Sequence, residues 1–150
     1  MKVVLYQPDI AGNLGSAMRL CACFETNLEI IEPCGFPLTE KALRRAAMDY
    51  GDTTQIYRHR NWDTFRKAQS SRIVLFTTKA ATKLDEFKFE PNDVLIFGRE
   101  SAGVPDHIHE VVDERVIIPI STQARSFNLA NSVSIGLFEG LRQTNGLPTN

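Results

Sequence analysis

The chain contains no run approaching the roughly 20 consecutive apolar residues that a membrane span needs, so no transmembrane helix is expected. Its first residues enter a strand-like run with no signal-peptide pattern, and a cytoplasmic location is expected. Cysteine is sparse and odd in number: Cys21, Cys23 and Cys34 fit no usual zinc spacing and read as reduced core thiols. No G-x-G-x-x-G follows the first strand and no G-x-x-x-x-G-K-[ST] is present, which argues against an ordinary dinucleotide enzyme and a Walker-type NTPase. A G-x-S-x-G elbow and an H-E-x-x-H helix are missing too. His107 and His109 flank Ile108, and residues two apart on a helix point apart, so no metal pair is expected there. The chain also lacks an excess of either charge: the net value is −1, so any nucleic-acid surface must be a local patch. Repeats, linkers and low-complexity segments are absent. At 150 residues and 43% hydrophobic, residues 1–150 are read as one domain with one core.

What is present alternates between apolar runs and amphipathic stretches. Lys2 to Tyr6, Leu28 to Ile31, Arg72 to Phe76, Val94 to Phe97 and Arg115 to Ile120 read as strands, and a short strand is expected near Gln55 to Tyr57. Pro119 marks an edge, an end or a bulge in its run. Asn13 is expected to cap a helix beginning at Leu14, and Asn61 another carrying Trp62, Phe65 and Ala68 inward. Thr39 to Ala47 is a helix with Arg44 and Arg45 on its outer side. Lys79 to Phe89 reads as a polar connection. A short helix from Pro105 to about Val112 has Ile108, Val111 and Val112 as its core face. The last helix starts near Asn128, with Leu129, Val133, Leu137 and Leu141 recurring every four residues and Ala130 and Phe138 beside them.

The most informative stretch is Asp93 to Pro105, DVLIFGRESAGVP. A buried strand breaks at Gly98, a polar turn presents Glu100, and Gly103 and Pro105 lead into a helix. In open α/β sheets, ligands bind at strand carboxyl ends in such loops.

Three blocks stand in order: N-x-G-x-x-x-R at Asn13 to Arg19, F-G-x-E-x-x-G-V-P at Phe97 to Pro105, and I-P-I…S-F-N-L-A-N-S at Ile118 to Ser132. Their order and spacing resemble the motifs of the SPOUT class of RNA 2′-O-ribose methyltransferases. Within it the chain is most similar to the small tRNA (cytidine/uridine-34) 2′-O-methyltransferases, through QPDI, IEPCGF, LRRAAMDY and the TTK after the fourth strand. The resemblance covers essentially the whole chain. It implies an α/β fold, a mostly parallel sheet with helices on both faces, whose C-terminal segment forms a trefoil knot. Connections are almost never knotted, so no argument from periodicity would have chosen that.

The resemblance further implies S-adenosylmethionine as cofactor, tRNA as substrate, a homodimer, and no metal. By motif position, Phe76, Gly98, Ile118 and Ser126 would line the cofactor. Asn13, Arg19, Glu100, Ser126 and Asn128 would form the catalytic set, and Asn131, in the first turn of the last helix, would serve structure only. Arg19 would act as a base if strongly perturbed, or as a group that orients the ribose and stabilises the oxyanion, since a guanidinium is almost never neutral. Arg44, Arg45, Arg58, Arg60 and Lys79 would form a phosphate-tracking patch shared across the dimer. Ala11-Gly12, Phe127, Arg99 and Ser101 depart from the pattern without removing a proposed chemical group. Alternatives are a 2′-O-methyltransferase for another tRNA or rRNA site, a non-catalytic RNA-binding SPOUT protein, and a flavodoxin-like binding module.

Overall fold

A computed structural model describes residues 1–47 and 56–149, without the side chains at positions 44, 46 and 47. Strand β1 (Lys2–Tyr6) leads to α1 (Ala11–Cys23), β2 (Asn27–Ile31), α2 (Glu40–Ala47), β3 (Ile56–His59) and α3 (Trp62–Ala68). Then follow β4 (Ile73–Phe76), β5 (Thr82–Lys83), β6 (Val94–Phe97), α4 (Asp106–Val111), β7 (Glu114–Ile117) and α5 (Leu129–Gln143).

The strands form one sheet in the order β3-β2-β1-β6-β4-β7-β5, and every ladder is parallel. Fully parallel sheets are covered on both faces, which is why β4 and β6 read as unbroken apolar runs rather than alternating ones. On one face Val3, Leu5, Leu95 and Phe97 pack beneath Leu14 and Met18 of α1 and Val133 and Leu137 of α5. On the other, Val4, Ile73, Leu75 and Ile96 pack beneath Trp62 and Phe65 of α3 and Ile108 of α4. The chain lays β2 and β3 on one side of β1, then crosses to the other side. The order reverses at β1–β6, so the loops leaving β1, β4, β6 and β7 crowd the same end of the sheet.

Several expectations need correction. Asn13 is not a cap: α1 begins two residues earlier, behind Ile10, and Asn13 lies in its first turn, 8% exposed. The Lys79 to Phe89 connection is not merely polar. It adds the edge strand β5 beside β7, and Leu84, Phe87 and Phe89 enter the core. The last strand stops at Ile117, before Pro119, whose missing N–H cannot serve a ladder. Val111 and Phe138 are exposed, at 49% and 47%, and Ala68 is exposed as well. Among the thiols only Cys21 is core; Cys23 is exposed and Cys34 intermediate. Position Gln55 of the expected short strand lies outside the described residues, and β3 continues through Arg58 and His59.

The Asn61 cap is as read, and the helix expected to start near Asn128 is capped by that residue. Asn61 accepts from the Thr64 N–H at 2.9 Å. At the far end of the sheet, Arg72 makes a bidentate pair with the fully buried Asp93, both bonds 2.8 Å. No helix among the described residues is long and apolar enough to cross a membrane.

Candidate active site

A cleft of about 510 Å³ opens where the loops after β1, β4, β6 and β7 meet the start of α5. That size suits a cofactor or a nucleotide, and the place is the one parallel sheets use for ligands. Each wall follows from a local feature of the sequence.

The β6 loop is the tightest. Arg99 and Gly103 exchange two backbone hydrogen bonds, 3.1 and 2.8 Å, around the turn carrying Glu100. Gly103 takes φ +66, a left-handed conformation that favours glycine. Gly98 is needed for a different reason: a Cβ there would stand 2.5 Å from the Gly103 carbonyl carbon. Phe76 stacks on Phe97, ring centroids 4.5 Å apart, and both press against Gly136 of α5. These contacts make the floor apolar, and Ile118 continues it.

A polar chain crosses the cleft wall. Asn128 Oδ1 accepts from the N–H groups of Ala130 and Asn131, at 2.9 and 3.4 Å. Its amide nitrogen must therefore point away, and it donates to Asn13 Oδ1 at 2.9 Å. Asn13 Nδ2 in turn donates to Glu100 Oε1 at 2.8 Å. The other Glu100 oxygen accepts from the backbone N–H of Asp9 at 2.8 Å. One residue from each motif block is thus joined in a single network. With both oxygens engaged, Glu100 is a brace that orients its neighbours rather than an idle base.

Of the residues singled out from sequence, Asn13, Phe76, Lys79, Gly98, Glu100, Ile118, Ser126 and Asn128 all line this cleft. Arg19 does not: it is exposed on α1, outside the lining. Arg45 lies beside a shallow depression shared with Thr39, Glu40 and Lys41. The Arg44 side chain lies outside the described residues. Arg58 is committed to Glu32, with bonds of 3.3 and 2.7 Å, and Arg60 is exposed.

Sequence reasoning missed Arg99 and Arg125, which also line the cleft. With Lys79 they give it three cations against the one acid, Glu100. His109 is in the wall too, its imidazole held below the ordinary value first by burial and then by Lys79, so it is neutral at pH 7. The local patch that a net charge of −1 obscures is therefore here. Asp9 was missed as well, for its contacts lie more than 90 residues along the chain.

The SpoU rRNA methylase family model matches residues 1–138. The chain belongs to this family. It is 45% identical, over 97% of its length and 92% of the relative's, to a tRNA (cytidine(34)-2′-O)-methyltransferase of Beijerinckia indica. A solved structure described as giving insight into 2-OH methylation of C/U34 on tRNA superposes with TM-score 0.90 at 33% identity, covering 97% of this chain and 96% of that one. An AdoMet-bound rRNA methyltransferase from Sinorhizobium meliloti superposes with TM-score 0.83 at 25% identity, covering 94% of this chain and 55% of the other. The resemblance carried by the three motif blocks is borne out, and the fold is that of the SPOUT methyltransferases. Among the described residues no cluster of His, Cys, Asp or Glu has metal-binding geometry.

Proposed function

We propose that this chain is an S-adenosylmethionine-dependent 2′-O-methyltransferase acting on the ribose of nucleotide 34 of tRNA, with cytidine or a modified uridine as the base. The observation that carries the reading is the Asn128–Asn13–Glu100 network at a strand-end cleft, in a chain 45% identical to an enzyme of that name.

The cleft residues fit the cofactor. At Gly98 the Gly103 backbone fills the place a Cβ would take, which keeps the β6 loop closed into the tight turn that walls the cleft. Phe76 and Ile118 offer apolar surface to a base and Ser126 a hydroxyl. When bound, the cofactor would supply an activated methyl group on its sulfonium centre to the ribose 2′-oxygen, leaving as the neutral thioether, with the hydroxyl proton released to solvent. No metal is required for such a donor. The protein's task is alignment, which supplies much of the rate, and stabilisation of the oxygen as charge develops.

Arg19 supplies that positive charge. As a guanidinium it orients the ribose or an adjacent phosphate and faces the developing oxyanion. Its exposure outside the cleft of its own chain supports a homodimer in which it serves the partner's cleft. The exposed Phe138, with Phe24 at 6.3 Å, offers apolar surface on α5 for that contact. Lys79, Arg99 and Arg125 hold phosphates beside the target nucleotide, and Arg45, exposed on α2, is a further phosphate contact. The knotted C-terminal path belongs to the same reading: the β4, β6 and β7 loops meet at the cleft. The enzyme works in the cytoplasm with its tRNA.

The test is transfer of labelled methyl from S-adenosylmethionine to total tRNA, with the modified nucleotide mapped. Label at the ribose of position 34, abolished in Arg19→Ala, is expected. Cofactor binding with transfer to another RNA would move the substrate; no binding at all would overturn the reading. A mixture of inactive Arg19→Ala and Glu100→Ala chains should regain about a quarter of wild-type activity if subunits exchange. A mixture as inactive as its parts would contradict the shared site.

A further inference from the structure

Asp9, in the turn between β1 and α1, is a charged group that the reaction leaves unexplained. Asp9 does not line the cleft; Ile10, its neighbour, does. Yet two of its groups reach the loop that walls it. The backbone N–H of Asp9 donates to Glu100 Oε2 at 2.8 Å. Its carboxylate Oδ2 accepts from the backbone N–H of Ser101 at 2.9 Å. Donor and acceptor on one residue thus meet acceptor and donor on two consecutive residues of the β6 loop, an arrangement with little rotational slack.

The Asp9 turn is itself braced from behind. Gly35 N–H donates to the Pro8 carbonyl at 2.9 Å, and a Cβ on Gly35 would stand 2.9 Å from Asp9 Cα, so the two backbones touch. Gln7 enters the turn at φ +46 and is tied to the Ile31 carbonyl at 2.8 Å. The turn is therefore anchored to the end of β2, and a displacement of Glu100 would have to move that anchor. Through Glu100 the constraint passes to Asn13 and Asn128.

We infer that Asp9 is a positioning residue for methyl transfer: its main-chain N–H and its carboxylate together fix the Glu100–Ser101 corner, and so the cofactor-side wall of the cleft. The inference rests on the proposed methyltransferase reading. It assigns Asp9 no contact with substrate or cofactor; its effect passes through Ser101 and Glu100. The bond to Ser101 is charge-assisted, and such bonds are roughly twice as strong as neutral ones. The carboxyl is accordingly held below its usual value, first by the Ser101 hydrogen bonds, with Arg99 adding a smaller pull against burial.

The test uses full-length wild type, Asp9→Asn and Asp9→Ala, with S-adenosylmethionine affinity by calorimetry, kcat and KM for tRNA, and thermal unfolding. Asn keeps an acceptor oxygen but not the charge; Ala keeps neither. Cofactor affinity and kcat should fall in the order wild type, Asn, Ala: about threefold for Asn and at least about tenfold for Ala, with KM for tRNA unchanged. If Ala does not fold, the Asn variant decides alone. Asn indistinguishable from wild type, or a loss appearing in KM for tRNA instead of cofactor affinity, would overturn the inference. A second signature needs no variant: the Ser101 amide proton resonance should titrate with the Asp9 carboxyl at acid pH, and a Ser101 signal indifferent to that titration contradicts it. Failure of the methyltransferase reading shows in wild type itself; failure of this inference shows only in the differences among variants and in the Ser101 signal.

Discussion

Replacing Gly98 by alanine is the sharpest perturbation of the cleft that a single methyl group can make. The added Cβ would lie 2.5 Å from the Gly103 carbonyl carbon, 2.7 Å from its Cα and 2.9 Å from its oxygen. These are backbone atoms, so no side chain can swing aside. To reach ordinary contact near 3.4 Å, the facing strand of the turn must retreat by about 0.9 Å. That retreat stretches both hydrogen bonds between Arg99 and Gly103. Overpacking costs about 1–3 kcal/mol and a weakened bond about 1 kcal/mol, so a total of about 2–4 kcal/mol is expected. In a chain of this size that lowers Tm by roughly 5–15 °C. In the proposed function the loop also walls the cofactor site, and even about 1.4 kcal/mol of that strain expressed there would weaken binding tenfold. Calorimetric titration with S-adenosylmethionine and a thermal melt measure both. Gly103→Ala is the control: its Cβ meets open space, but φ +66 costs about 1 kcal/mol, so a smaller loss is expected. If Gly98→Ala binds cofactor within about twofold of wild type and melts alongside it, the close approach does not constrain the loop and the reasoning fails.

Gly136→Ala should act on the same site from the core side. Its Cβ would meet the Phe76 ring at 2.5 Å, and that ring is already stacked on Phe97, so about 1–3 kcal/mol of stability and part of the cofactor affinity should be lost. Arg72→Ala separates stability from function. It removes the Arg72 countercharge from the fully buried Asp93 carboxylate, which keeps its bond from the Glu90 N–H, and should cost about 3 kcal/mol in chemical denaturation. Because this pair lies at the opposite end of the strands, the fraction still folded should bind cofactor normally; weakened binding at full occupancy of the native state would contradict that. Burial pushes the Cys21 thiol up to about 12 and the Cys34 thiol to about 11. Folding holds both neutral, so their contribution to stability is full below about 9 and is lost as pH rises toward 11 and 12. A melting series from pH 8 to about 11 should fall, and a thiol reagent at pH 8 should label the exposed Cys23 ahead of Cys21.

The sheet was legible because its strands are apolar runs bounded by turn residues, and Asn61 was legible as a cap because a cap is a local event. What stayed hidden was set by distant partners. Asn13 has the composition of an N-cap, but Glu100 and Asn128, 87 and 115 residues away, draw it into the first turn of α1 as a buried bridging amide. Edge strand β5 has two residues, too few for any periodicity, and exists because β7 offers it a ladder. Val111 follows the helical spacing of a core face yet is exposed, because α4 is six residues long and only Ile108 reaches the sheet. The motif blocks pointed to the cleft residues from sequence. Arg99 stood out only as a departure from the motif pattern and Arg125 not at all, until the fold brought their loops together at the cleft.

The central claim is that the group receiving the methyl is the 2′-hydroxyl of nucleotide 34 in tRNA. The most direct measurement compares two otherwise identical anticodon stem-loops, one with ribose and one with 2′-deoxyribose at that position, incubated with the enzyme and labelled S-adenosylmethionine. Label in the ribose form alone is the expected result. Equal labelling of both would place the methyl elsewhere and contradict the account.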